Sequence, residues 1–210
     1  MWLGYRSVLA KYDTNGQLVK EYPIRNEHGG ASISGFCESR NHEIIISVWN
    51  GRVYHLDKEK DEFIPYPDKM RSRNPTVMVQ DNEQDYFWLA TWGDGVVRFD
   101  PSAPGDSMFV YSEIPVNAAG EEGLILSLAQ DDKLGYIWLT TGHDFMALQI
   151  QPDRTLKQLK FPAGLLPVNH MLVEVLKGKE CLWVSAFDRP SFILHLMDNI
   201  TKDYALPALA

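Results

Sequence analysis

The chain has 210 residues, 45% of them hydrophobic and 23% charged, a balance that buries a core and excludes a disordered chain. Its 20 Lys and Arg against 28 Asp and Glu leave a formal charge of −8. That sign argues against a nucleic-acid partner and gives no attraction to an anionic membrane surface, since both need clustered cations.

No stretch approaches the roughly 20 apolar residues that span a bilayer. Met1-Trp2-Leu3-Gly4-Tyr5-Arg6 lacks the basic region and apolar run of a signal peptide. The first apolar segments are Trp2-Leu3-Gly4 and Val8-Leu9-Ala10-Lys11-Tyr12-Asp13, which read as a strand pair entered partway through a unit. The second set has a strand at 33–38, then Ile44-Ile45-Ile46-Ser47-Val48-Trp49 and Arg52-Val53-Tyr54-His55-Leu56-Asp57. The third is the fullest. A strand at 76–80 turns at Asp81-Asn82-Glu83 into a strand at 86–92, and Gly93-Asp94-Gly95 turns that into 96–100. A strand at 107–111 follows, and Pro115 ends the unit. The fourth set has 124–130, Ile137-Trp138-Leu139-Thr140-Thr141 and Phe145-Met146-Ala147-Leu148-Gln149. The fifth has 171–176, Leu182-Trp183-Val184-Ser185-Ala186 and Phe192-Ile193-Leu194-His195-Leu196.

Aligned on Trp2, Ile45, Trp88, Trp138 and Trp183, the sets recur every 43–50 residues, a period shared by propeller blades and helical arrays. The segments are short, β-branched and aromatic, and are bounded by Gly, Asn, Asp and Pro, which selects strands. Asx side chains bond nearby backbone and Gly tolerates positive φ, so the intervening residues suit turns. Four antiparallel strands per repeat make a blade. The expectation is an all-β chain, a β-propeller of four-stranded antiparallel blades in one segment spanning 1–210. The blades fall at about 1–24, 31–67, 75–115, 123–162 and 168–207, the first of them partial with about three strands. The chain reads as part of a propeller, whose exposed blade faces would meet the remaining blades of a parent protein or another copy. The recurring tryptophans read as packing between blades, with each large ring facing small residues on the next blade (Ala90, Thr140, Ser185).

The segments "VMVQDNEQDYFWLATWGDGVVRFD" and "LSLAQDDKLGYIWLTT" resemble the two-component regulator propeller repeat. The pattern weakens at Ile45, where the Trp is absent, and at Asp188-Arg189-Pro190, which replaces the Gly-rich turn. The resemblance implies the periplasmic sensor region of a hybrid two-component histidine kinase of Bacteroidetes. It implies an oligosaccharide ligand and a kinase that this chain does not contain.

No catalytic apparatus is visible. His28, His42, His55, His143, His170 and His195 form no HExxH and no His–Cys cluster, so neither a metal nor a cofactor is expected. No GxSxG, SxxK or Cys/His nucleophile pattern occurs, and Cys37 and Cys181 read as buried free thiols. The chain is therefore expected not to be an enzyme itself. Two other readings stand beside the sensor: a fragment of a propeller-type carbohydrate-active enzyme, and a protein-interaction scaffold. The candidate ligand residues lie on the face shared by the turns between second and third strands and the connections between blades. Trp49, Trp92 and Phe187 fall at the strand ends, with His143 near the matching place, while Arg71 and Arg73 lie in a blade connection. Aromatic rings beside polar donors suit a sugar. The competing reading continues the alternation Trp88, Ala90, Trp92 and buries Trp92 between blades.

Overall fold

The structure is a computed structural model that describes residues 1–24, 32–50, 52–66, 70–71, 74–112, 123–131, 135–141, 145–159, 168–176, 179–186 and 192–195. Five antiparallel sheets follow in chain order, and within each the strands pair in sequence. The first holds β1 (Trp2–Tyr5), β2 (Val8–Tyr12) and β3 (Leu18–Pro23). The second holds β4 (Ser32–Glu38), β5 (Ile44–Trp49), β6 (Val53–Asp57) and β7 (Glu62–Pro65). The third holds β8 (Pro75–Gln80), β9 (Phe87–Thr91), β10 (Val96–Phe99) and β11 (Phe109–Tyr111), with a short 3-10 turn at Gly105–Met108 before β11. The fourth holds β12 (Ile125–Asp131), β13 (Tyr136–Thr141), β14 (Phe145–Ile150) and β15 (Leu156–Leu159). The last holds β16 (Val168–Leu176), β17 (Lys179–Ala186) and β18 (Phe192–His195).

The first strands of successive four-stranded sheets touch one another, β4 on β8 and β8 on β12, and β12 touches β16. They line a common axis, and the sheets radiate from it as blades. Each of these inner strands carries a register shift at the same place, which leaves Ser34, Thr76, Leu126 and Asn169 unpaired as β-bulges. Bulges sharpen the local twist where strands crowd toward an axis.

Blade-to-blade packing follows from strand alternation. In β9, Phe87 and Leu89 face back onto Ile45 and Val53 of the second sheet. Trp88 and Ala90 face forward onto Ile137, Leu139, Leu128 and Leu148 of the fourth. Trp2 likewise packs forward on Ile44, Ile46 and Val48. Trp88 is 1% exposed and Trp138 2%, and burying a ring of about 200 Å² contributes roughly 5 kcal/mol before entropy is charged against it.

The expectation that each ring faces small residues of the next blade is corrected. Trp88 meets Ile137 and Leu139; Thr140 shares a face with Trp138 and points the other way. The small residue has a different cause. A Cβ on Gly4 would touch Ile33 of the next inner strand at 3.4 Å, so this position lies against the neighbouring blade's innermost strand.

A buried carboxylate holds the Trp88 and Trp138 rings. The Trp88 indole N–H donates to Asp81 Oδ2 at 2.9 Å, and Asp81 Oδ1 accepts the backbone N–H groups of Glu83 and Gln84 at 3.0 Å each. Trp138 and Asp131 repeat the clasp at 3.4 Å. Asp81 and Asp131 are both fully buried, which such donors make tolerable. In the second blade Ile45 and Glu38 stand at these places, and Glu38 turns outward to His42. A different set of aspartates, Asp13, Asp57 and Asp100, caps the turns at the ends of β2, β6 and β10 by accepting backbone N–H groups.

Candidate functional site

Trp49 ends β5 and Trp92 follows β9, at the same end of neighbouring blades. β9 stops at Thr91 because its hydroxyl closes the turn. Thr91 Oγ1 donates to the Gly95 carbonyl at 2.8 Å and accepts the Asp94 N–H at 3.1 Å. Gly93 and Gly95 supply the positive φ values, 104° and 68°, that this turn needs. Released from β9, the Trp92 backbone N–H donates to the Asn74 carbonyl at 3.0 Å, and the residue forms an isolated bridge with Leu124 of the next blade. Gly93 reaches the Gly123 carbonyl at 3.4 Å.

The consequence is an aromatic pair. The rings of Trp49 and Trp92 lie 5.4 Å apart at 31°, bridging the second and third blades. Trp92 keeps 43% of its surface exposed, and Trp49 is half-buried. The reading that buries Trp92 beside Trp88 and Ala90 fails here, because its ring turns back to Trp49.

Arg71 is occupied differently. Its guanidinium lies over the Tyr111 ring at 4.5 Å, and its backbone N–H donates to the Tyr111 hydroxyl. Tyr111 was not among the sequence candidates, although its place at the end of the fourth strand, on the same end of the blade as Trp92, could have drawn notice. Arg73, His143 and Phe187 lie outside the described residues.

Along the same seam between blades, His55 Nδ1 donates a hydrogen bond to Glu43 Oε1 at 3.1 Å, and the ring stacks on Tyr66 at 4.7 Å. Burial, with Glu43 beside it, pushes the Tyr66 hydroxyl well above the usual phenol range. Among the described residues no group of three or more His, Cys, Asp and Glu could hold a metal ion. No helix of the described residues is long and apolar enough to cross a membrane.

Radial four-stranded blades, stacked in chain order through aromatic anchors, define a β-propeller. The chain matches no protein-family profile and no curated protein. Solved propellers match it throughout. Against a catalytically inactive virginiamycin B lyase from Staphylococcus aureus with quinupristin, the TM-score is 0.66 at 14% identity, covering 93% of this chain and 64% of that one. Against the extracellular domain of a hybrid two-component system protein from B. thetaiotaomicron, it is 0.61 at 20% identity, covering 87% of this chain and 24% of that one. Against the extracellular domain of a one-component system protein from the same organism, it is 0.65 at 16% identity, with 88% and 24% covered. The chain thus spans less than two thirds of each of these structures.

Proposed function

We propose that this chain is the ligand-sensing propeller segment of a two-component sensor, that it works in the periplasm, and that it detects an oligosaccharide. The observation that carries the reading is the Trp49–Trp92 pair, a half-exposed indole surface at one end of adjacent blades. Indole faces stack on the apolar C–H faces of sugar rings, and neighbouring backbone and side-chain groups can take the hydroxyls. The likeness to two extracellular sensor-system domains supports the compartment and the role. The signal output then belongs to parts of the protein outside this chain.

The test is titration calorimetry of plant and mucin oligosaccharides against the wild-type chain and Trp92→Ala. Because Trp92 is 43% exposed, the substitution leaves the fold in place, which an unchanged melting curve verifies. A ring at the centre of a contact is worth about 2 kcal/mol or more, so affinity should fall at least about tenfold. Equal affinity in the folded variant refutes the site, and no binding to any glycan refutes the ligand class.

A further inference from the structure

We infer that the oligosaccharide bound at the Trp49–Trp92 pair is acidic, and that Arg71 meets its carboxylate or sulfate group. The inference rests on the sugar reading of that pair and adds a charge to it. The indoles and Arg71 share one seam and one end of the blades. Trp49 ends β5 and Trp92 follows β9, so the pair stands where the second and third blades meet. Arg71 lies in the connection between these two blades, and its ring partner Tyr111 ends β11. Tyr111 and Met70 pack on the cluster of Ile45, Val53, Leu89 and Val97 that fills the same seam.

Register gives the spacing. Tyr111 stands opposite Val97, and Val97 opposite Leu89. Two strand steps put Tyr111 roughly 10 Å outward from Leu89. Trp92 lies beyond Leu89 along the chain, at a rise of roughly 10 Å. The indole pair and the Arg71–Tyr111 pair are thus about 14 Å apart at the backbone, a spacing suited to an oligosaccharide rather than a single sugar.

Arg71 is held for such a contact. Its guanidinium lies 4.5 Å over the Tyr111 ring, and its backbone N–H donates to the Tyr111 hydroxyl. A ring under the guanidinium face leaves the N–H edge for an anion. The residue is exposed, and among the described residues no carboxylate pairs with it, whereas Arg40 and Arg154 are taken by Asp85 and Glu83. The charge of these blades is also divided between their two ends. Asp57, Asp81, Asp85 and Asp100 all lie at the end away from the indoles. At the indole end of this seam the described charges are Arg52 and Arg71 against Asp94. The net charge of −8 repels an anion at long range, and this end is where the local field reverses.

The test is titration calorimetry with paired plant and mucin oligosaccharides. Each acidic glycan is measured beside its neutral counterpart, made by reducing the uronate carboxyl or removing the sulfate, and the two treatments separate the two anions. Oligogalacturonate and a sulfated mucin oligosaccharide supply the first pairs. The acidic member should bind about tenfold tighter or more, the worth of one charge-assisted contact. Arg71→Ala should bring the acidic member down to its counterpart, and Arg71→Lys should recover part of the difference. Unchanged melting curves verify that both variants fold. Trp92→Ala should weaken both members. Neutral members that bind as tightly as acidic ones overturn the inference and leave the sugar site standing. An acidic preference that survives Arg71→Ala overturns it too. Binding that Trp92→Ala leaves unchanged, or no binding by any glycan, refutes the indole site and the inference with it.

Discussion

Asp81→Ala removes the acceptor at the centre of the third blade's clasp. Four donors lose their partner: the Trp88 indole at 2.9 Å, the backbone N–H groups of Glu83 and Gln84 at 3.0 Å, and the Gln130 amide at 3.3 Å. Glu83 and Gln84 are exposed, so water replaces the carboxylate there. The indole of Trp88 is 1% exposed and has no such recourse, and the Gln130 amide comes from the adjoining inner strand. Each buried orphan costs about 1–3 kcal/mol, so the loss should be about 3–4 kcal/mol. For a domain of this size, that lowers the melting temperature by roughly 6–16 °C. Asp57→Ala is the control, since Asp57 accepts comparable backbone N–H groups from Glu59 and Lys60 in an exposed turn and holds no ring. Its melting curve should scarcely move. Trp88→Phe should cost less than Asp81→Ala, because the carboxylate keeps its other three donors. In the double variant the two effects should fall short of their sum by about 0.5–3 kcal/mol. Thermal and urea unfolding followed by circular dichroism would measure the four variants beside the wild type. If Asp81→Ala melts with Asp57→Ala, the clasp does not hold the blades.

Two further outcomes follow from the same packing. A Cβ on Gly35 would lie 3.1 Å from Ser47 Oγ and 3.3 Å from the Met78 backbone nitrogen of the next inner strand, whereas one on Gly4 meets only side-chain atoms at 3.4 Å or more. Gly35→Ala should therefore lower the melting temperature through overpacking of about 1–3 kcal/mol, and Gly4→Ala should leave it nearly unchanged; equal melting points refute the close approach. On the alkaline side, burial and a hydrogen bond to Asp61 push Tyr22 up to about 12, and burial also pushes Tyr86 up to about 12. Unfolded tyrosine ionises near 10, so the folded state favours the protonated form. The stabilisation is then whole below about pH 10 and is lost as pH rises toward 12. Stability measured from pH 9 to 12 should fall less steeply in Tyr22→Phe; an identical slope refutes the assignment.

The blades were legible because their strands are short, alternate cleanly and end at Gly and Asx turns, so periodicity and turn chemistry agree. The anchors were legible as core for the same reason. The direction of the small residues was not. Alternation tells which side chains share a face, but which blade that face meets depends on how the sheets stack, and Thr140 and Leu139 simply exchange roles there. The bulges at Ser34, Thr76, Leu126 and Asn169 have no common residue type, because they arise from crowding at the axis rather than from local preference. Trp92 was the most instructive case. Two-residue periodicity holds only while the strand lasts, and Thr91, closing on Gly95, ends it one residue too early for Trp92 to follow Trp88.

The seam beneath the Trp49–Trp92 pair shows why a repeat can lose its anchor and keep its fold. Ile45 stands where the other blades carry tryptophan, and a void there would cost about 24 cal/mol for every cubic ångström left empty. The missing volume returns from the other side. The third blade places Phe87 where its counterparts have Ile44 and Ile137, and Phe99 packs behind it, stacked on Phe109 at 5.0 Å and edge-on to Tyr66 at 5.0 Å. Phe87 and Phe99 are fully buried, so the exchange fills the seam rather than merely covering it. Core volume is thus conserved across a seam and not within a repeat. The seam carrying the half-exposed indole pair is held by rings from the third blade, with no Asp–Trp clasp on the second. Replacing Phe87 by Ile should accordingly destabilise this seam more than the same aliphatic already costs at positions 44 and 137, where a tryptophan stands opposite. Introducing Ile45→Trp alongside it should recover part of the loss. A Phe87→Ile variant that melts like the wild type, or a double variant that melts below the single one, would show that the two positions do not share one volume.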